Sequence, residues 1–348
     1  MKKTINVLVV DDCKVTTQLL CTILNEEPDI NVIACAKDGA AAVALTKELK
    51  PDLITMDIFM PNMDGVEATR AIMEQFPTPI IIISSHGNSN ESEEAFNALQ
   101  AGALSIIEKP QEIRSTGFSI IRRQLLNTVR ALSEVRVMRR RTATPVKAQV
   151  SSFADRPRTI QLIALGSSTG GPEALHCILS ALPADFPVPI VITQHITQGF
   201  LPGLINWLQK KTKLTVEMAQ DHQKLYPGHV YFAIDNKHLH VKKSITPLAV
   251  FDNSEPIDHF KPSVNAMFTS IAKNYPGAAI GGLLTGMGQD GANGLLQMKE
   301  ARCYTFAQSQ ATSIVYGMPG VAAAIKATDQ LIDLENISQI LAKLIQGR

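Results

Sequence analysis

The sequence predicts two consecutive α/β domains, each organised around a largely parallel sheet, the second carrying an antiparallel element. Two observations support this. Short apolar runs alternate with helix-length stretches in the first third of the chain, and the alternation restarts after a polar, arginine-rich break. The length of 348 residues fits two domains at about 150 residues each. The expected boundaries are a first domain at 1–125, a basic linker at 126–158 and a second domain at 159–348.

Ile5–Val10 is a continuous apolar run, the pattern of a strand covered on both faces, and it reads as a strand rather than a signal peptide. Further runs follow at Asn31–Ala36, Leu53–Met56, Ile80–Ile83 and Leu104–Ile107, separated by helix-length stretches with Ala, Leu, Glu and Lys. Strict βα alternation of this kind implies a parallel sheet with helices on both faces. Arg114, Arg122, Arg123, Arg130, Arg136, Arg139, Arg140 and Arg141 then accumulate without matching acids, and Thr142–Arg158 is polar with Pro145 and Pro157. This reads as a last helix running into a solvated linker.

From Thr159 the pattern restarts. Ile160–Leu165 is a strand, followed by a Gly/Ser turn, the helix Pro172–Ala181 and the strand Pro189–Thr193. Two alternating stretches around Val230–Val241 suggest an antiparallel hairpin. Pro262 is placed at a helix start. Ala278–Leu284 is a further buried strand, and a Gly-rich turn, Gly286–Gly291, follows it.

Composition excludes several classes of function. A net charge of +1 and an aromatic content of 5% give neither an electrostatic field nor stacking platforms for nucleic acid. No apolar run approaches the roughly 18–20 residues a membrane-spanning helix needs, so no membrane insertion is expected. Cys13, Cys21, Cys35, Cys177 and Cys303 show no Cys-x-x-Cys spacing, which points to a reduced, cytoplasmic protein.

In parallel sheets, functional groups gather at the carboxyl ends of the strands. Asp11 and Asp12 follow the first strand, Asp57 ends the third, Ser84 the fourth and Lys109 the fifth. Three carboxylates converging on one rim repel each other, and a hard divalent cation with oxygen ligands, Mg²⁺ above all, would offset the cost. The same ion would neutralise a phosphoryl group arriving on one of them.

The second domain opens with Gly166-Ser167-Ser168-Thr169-Gly170-Gly171 between a strand and a helix. A dinucleotide-binding turn is disfavoured, because Ser168 would crowd a pyrophosphate and no acid ends the next strand. A structural glycine turn without chemistry is the bland alternative. Gly166-x-Ser168-x-Gly170 also fits a turn that exposes a nucleophilic hydroxyl near helix-start N–H groups. His195, at the end of the next strand, is placed as the base, and Asp290, in the later Gly-rich turn, as its orienter. The order Ser, His, Asp differs from that of α/β-hydrolases, so an unrelated fold is expected. His238 and His240 alternate on one strand face, but no acid cluster accompanies them or His222, His229 and His259, so surface or core roles are expected rather than a metal site.

Met56-Asp57-Ile58-Phe59-Met60-Pro61-Asn62-Met63-Asp64-Gly65, together with the acids, Ser84 and Lys109, resembles the response-regulator receiver family. The resemblance implies a flavodoxin-like (βα)5 receiver with Asp57 as phosphoacceptor. It implies Mg²⁺ on Asp12 and Asp57, reached by Asp11 through water and aided by the Phe59 carbonyl, with Ser84 and Lys109 supporting the phosphoryl group. Ile106 stands where many receivers carry an aromatic switch residue.

The second domain resembles the CheB methylesterase family. The likeness lies in the Ser168 turn, Gln194-His195 with Gly199-Phe200, Lys261-Pro262-Ser263-Val264, Leu284–Gly291 and Val315-Tyr316-Gly317-Met318-Pro319. This resemblance implies a second doubly wound α/β domain with a Ser168–His195–Asp290 triad, an oxyanion site around the Thr169 and Met287 backbone, and no cofactor for the esterase. It further implies demethylation of glutamate methyl esters on methyl-accepting chemoreceptors, deamidation of receptor glutamines, and control by a chemotaxis histidine kinase acting on a receiver that covers the esterase. Asn265, where the family usually has Asp, and Ala233-Ile234-Asp235, in place of an Ala-Pro-Gly turn, depart from its pattern. Two alternatives stay open: a catalytically inactive receptor-docking adaptor, and a response regulator with a nucleic-acid-binding output, for which the arginines of 122–141 are the support.

Overall fold

The computed structural model describes residues 4–85, 89–110, 118–135, 137 and 159–346. The chain divides into two compact units, Met1–Ala143 and Thr144–Arg348. Arg114, Arg136, Arg139, Arg140, Arg141 and the stretch 142–158 lie outside the described residues.

The first unit runs β1 (Ile5–Val10), α1 (Lys14–Asn25), β2 (Ile30–Ala36), α2 (Gly39–Leu49), β3 (Leu53–Met56), α3 (Gly65–Gln75), β4 (Ile80–Ser84), α4 (Ser89–Ala101), β5 (Ser105–Glu108) and α5 (Phe118–Leu132). All strand pairs are parallel, in the order β2-β1-β3-β4-β5. Val7–Val10 and Ile80–Ile83 are almost fully buried, as the unbroken apolar runs require. α5 continues past residue 125 to Leu132, into the stretch read as linker. Two of its arginines have acidic partners that sequence proximity conceals. Arg122 lies 2.8 Å from Glu27, and Arg130 lies 2.7 Å from Glu27 and 2.8 Å from Asp29. Those two arginines tie α5 to the α1–β2 connection, which corrects their reading as unmatched charges.

The second unit runs β6 (Leu162–Ser167), α6 (Gly171–Ser180), β7 (Ile190–Gln194), α7 (Leu201–Gln209), β8 (Thr215–Met218), β9 (His229–Phe232), β10 (His238–Lys242), β11 (Leu248–Asp252), α8 (Val264–Asn274), β12 (Ala279–Leu283), α9 (Ala292–Glu300), β13 (Tyr304–Gln308), α10 (Met318–Ala324), β14 (Gln330–Ile332) and α11 (Leu334–Gln346). Seven strands form one parallel sheet in the order β14-β13-β12-β6-β7-β9-β8. The chain leaves β6 toward β7 on one side and returns on the other as β12, so a topological switch point lies at the carboxyl end of β6.

Two local expectations change. The residues 230–241 do not fold back on each other. Val230, Tyr231 and Phe232 are buried and join the parallel sheet as β9, whereas β10 pairs antiparallel with β11 as a separate two-stranded element. Pro262 precedes the helix rather than opening it, because Ser263 is the N-cap of α8 and accepts the Ala266 N–H.

α3 starts hard against the loop after β3. Asp64 and Glu67 form a capping box there, and the Gly65 N–H donates to the Ile58 carbonyl at 2.8 Å. A Cβ on Gly65 would stand 2.0 Å from the Asp57 carbonyl oxygen. Gly65→Ala should therefore cost about 1–3 kcal/mol through overpacking and lower the receiver transition in urea, whereas Glu74→Ala on the exposed side of α3 should leave it in place.

Candidate active site and acidic cluster

In the first unit the strand ends bring the expected residues together. One oxygen each from Asp11, Asp12 and Asp57 falls within 4.8 Å of the others, the only such group of three or more metal-ligating side chains among the described residues. Lys109 Nζ lies 2.7 Å from Asp57 Oδ2 and 3.1 Å from Asp11 Oδ2. Ser84 is buried at the end of β4, and its carbonyl accepts the Lys109 N–H at 2.8 Å. Burial pushes the Asp57 carboxyl up to about 6, with the Asp11 charge adding to the rise and the Lys109 ammonium opposing it. One ammonium thus leaves the three acids undercompensated. Asp11 Oδ2 is buried without a directed hydrogen bond although Lys109 is at ion-pair distance. An all-oxygen set of this kind, with an orphaned carboxylate oxygen, fits a hard divalent cation. Ile106 is buried in β5.

In the second unit the parallel pairing matches Ser167 with Gln194, so Ser168 and His195 are the next residues beyond two adjacent strand ends. The His195 N–H donates to the Ser167 carbonyl at 2.8 Å. Gln194 fastens the pair: its Nε2 donates to the carbonyls of both Ser168 and His195 at 2.8 Å, while its Oε1 accepts the Ser167 hydroxyl at 2.6 Å. A Cβ on Gly171 would sit 2.1 Å from that Oε1, so the glycine makes room for the amide. Of the two serines, Ser167 is buried and engaged, whereas Ser168 is half-buried with no side-chain hydrogen bond among the described residues.

Asp290 is fully buried. Its Oδ1 accepts the Ser263 hydroxyl at 2.9 Å and the Asn265 N–H at 3.0 Å, and its Oδ2 accepts the Val264 N–H at 2.7 Å. The carboxylate therefore occupies the N-terminus of α8, where free N–H groups and the helix dipole favour negative charge. His195 Nε2 lies 2.9 Å from Oδ2, at ion-pair distance but off the best hydrogen-bond line, and Nδ1 has no partner among the described residues. Burial alone would raise the Asp290 carboxyl. The His195 ring and the Asn265 and Val264 N–H groups outweigh it and hold the group below the ordinary carboxylate range.

The Gly286 turn lies beside Ser168. The Ser168 N–H donates to the Thr285 carbonyl at 3.1 Å, and the Gly317 and Met318 N–H groups donate to the Gly286 carbonyl at 3.1 and 2.9 Å. The Val315–Pro319 motif thus supports this turn. Among the described residues neither the Thr169 N–H nor the Met287 N–H has a hydrogen-bond partner.

Several supporting residues carry no independent sequence signal. Phe260 stacks on the His195 ring with centroids 4.2 Å apart and planes within 5°. His238 is buried, accepts the Ser263 N–H at Nδ1 (3.2 Å) and reaches the Glu255 carbonyl with Nε2 (3.1 Å). Asn265 Oδ1 accepts the Gly294 N–H at 2.7 Å, and Asp235 Oδ2 accepts the Gly199 N–H at 3.0 Å, so both departures from the family pattern anchor loops or helices near the site. The Pro-Ser-Val capping pattern could have pointed to Ser263, but nothing local marks Phe260 or His238. His229 and His240 each pair with one acid, Glu217 at 2.9 Å and Asp252 at 2.5 Å, rather than joining a cluster.

A family model described as CheB methylesterase matches residues 163–341, and one described as response regulator receiver domain matches residues 7–116. A protein-glutamate methylesterase/protein-glutamine glutaminase 1 from Syntrophus aciditrophicus is 42% identical over 346 residues, covering 98% of each chain. The chain belongs to the CheB methylesterase family. A second family member, from Nitrosospira multiformis, is 41% identical over 349 residues, covering 99% of this chain and 98% of its own. The crystal structure of the Thermotoga maritima CheB methylesterase catalytic domain is 34% identical, with a TM-score of 0.51, over 54% of this chain and 98% of that one.

Because the Asp290 carboxyl is depressed in the folded state, its contribution to stability is complete above the ordinary carboxylate range. That contribution drains as pH falls through the lower folded value. Asp290→Asn should therefore unfold at lower urea than the parent at neutral pH, with the gap closing as the solution is acidified. A gap that stays constant with pH would contradict the assignment of this charge to the N-terminus of α8.

Proposed function

We propose that this chain hydrolyses glutamyl methyl esters of methyl-accepting chemoreceptors, releasing methanol, and deamidates receptor glutamines by the same acyl chemistry. The observation that carries the reading is the buried Asp290 carboxylate on one edge of His195, with Ser168 at the neighbouring strand end. His195 takes the Ser168 proton, and the hydroxyl oxygen attacks the ester carbonyl. The Thr169 and Met287 N–H groups receive the developing oxyanion. His195 returns the proton to the departing methoxide, and water then cleaves the acyl-enzyme by the same route in reverse. Asp290 holds the ring and stabilises its protonated form.

The receiver, whose last helix α5 ends at Leu132, is proposed to take a phosphoryl group on Asp57 from a chemotaxis histidine kinase, with the basic stretch that follows, up to residue 158, linking it to the catalytic domain at 159–348. Asp11, Asp12 and Asp57 would hold Mg²⁺, which would supply positive charge to the carboxylates and to the incoming phosphoryl group. Lys109 and Ser84 would pair with that group from the other strand ends. The place of action is proposed to be the cytoplasm; no helix among the described residues is long and apolar enough to cross a membrane.

Methanol release from methylated receptor membranes, with and without a small-molecule phosphodonor, tests both halves. Ser168→Ala should lose on the order of 10⁴ to 10⁶ in rate while still incorporating phosphate at Asp57. Asp57→Asn should retain basal hydrolysis and ignore the phosphodonor. Near-parental methanol release by a folded Ser168→Ala protein would remove Ser168 from the reaction.

A further inference from the structure

The acidic cluster is flanked by a feature that phosphorylation and ester hydrolysis leave unused. Cys21, on α1, and Cys35, on β2, bring their Sγ atoms to 3.4 Å. Cys35 is exposed and Cys21 partly so, and β2 is the edge strand of its sheet, so the pair is reachable from solvent.

We propose that Cys21 and Cys35 form a covalent modification site, a dithiol that a hydroperoxide converts to an intramolecular disulfide and a small thiol reduces again. The sulfurs must close from 3.4 Å to the ~2.05 Å of a disulfide, a movement within reach of small side-chain rotations. The two sulfurs have different parts in the chemistry. Burial first, and the neighbouring Cys35 second, push the Cys21 thiol up to about 12, and Cys21 is the less exposed of the two. Exposed Cys35 is the sulfur that meets the oxidant. Its thiolate attacks one peroxide oxygen, the O–O bond breaks, and the sulfenic acid and a hydroxide form, the hydroxide becoming water with the proton that the Cys35 thiol released. Cys21 sulfur then attacks that sulfenic sulfur, the S–O bond breaks, and a second water leaves with the Cys21 proton. The two cysteines together give up two electrons, which the peroxide takes up.

The bond would join two elements that border the acids. α1 begins directly after Asp12 and Cys13, and the Ala36 carbonyl at the end of β2 accepts the Asp11 N–H at 3.1 Å. Closing the short loop from 21 to 35 restricts the unfolded chain and braces this edge of the receiver.

The sequence allows a direct test, because no lysine or arginine lies between Lys14 and Lys37 and trypsin leaves both cysteines in peptide 15–37. The full-length chain is exposed to hydrogen peroxide, its remaining thiols are blocked with iodoacetamide under denaturing conditions, and the digest is weighed. The expected result is a 15–37 peptide about 2 Da lighter, carrying no label, and restored to a doubly labelled form by dithiothreitol. Cleavage after Glu26 should leave the two halves joined only in the oxidised sample. Cys21→Ser should abolish the link and let Cys35 take up two or three oxygens instead. Double labelling of 15–37 under conditions that oxidise exposed Cys13 would overturn the proposal, as would a Cys35 that gains oxygens in the parent protein while Cys21 remains free.

Discussion

A carboxylate with no solvent exposure is the constraint around which the catalytic unit is arranged. An unpaired charge at that depth would be prohibitively costly, so Asp290 dictates the positions of everything that faces it. Ser263, Val264 and Asn265 must present the start of α8, and His195 must turn one nitrogen toward the same oxygen as Val264. The supports reach further outward. His238 holds the Ser263 backbone, and Asn265 carries α8 onto the Gly294 N–H at the head of α9. The antiparallel pair β10–β11, which stands apart from the main sheet, contributes through His238 to the placement of a carboxylate on a different loop.

Both units place their polar groups at the carboxyl ends of parallel strands, yet the two buried acids are driven in opposite directions. Asp290 faces N–H dipoles, a hydroxyl and an imidazole, and its ionised form is favoured. Asp57 faces two other carboxylates, a single ammonium and one backbone N–H, and its ionised form is opposed by burial. The first arrangement suits a permanent charge that orients a neighbour. The second suits a group whose charge is offset by something that arrives from solution.

Much of this was legible in the sequence because it depends on local pattern. Continuous apolar runs mark parallel strands, and the residues at their carboxyl ends, Asp11, Asp57, Ser84, Lys109, Ser168 and His195, fall on the rim of the sheet. What local pattern misses is partnership across distance. Arg122 and Arg130 look unmatched because their acids lie in the α1–β2 connection, about a hundred positions away along the chain. The stretch around Val230–Val241 looked like one hairpin because alternation does not reveal which sheet a strand joins. Pro262 looked like a helix start because a proline outside a cap and one just inside it differ by two positions. Phe260 and His238 act through geometry that only the folded chain creates.

The stacking of Phe260 on His195, at 4.2 Å and nearly parallel, also has a magnetic consequence. Protons lying over the face of an aromatic ring are shielded by its ring current, and the effect falls steeply with separation. Among the eight histidines in the chain, His195 should therefore show ring-proton resonances displaced upfield, as should His229, which stacks on Tyr231 at the longer distance of 5.7 Å. Phe260→Leu should return them to the ordinary region. The part of the displacement that Phe260→Leu removes would give His195 its own spectroscopic label, through which changes around the ring could be followed without modifying the histidine itself.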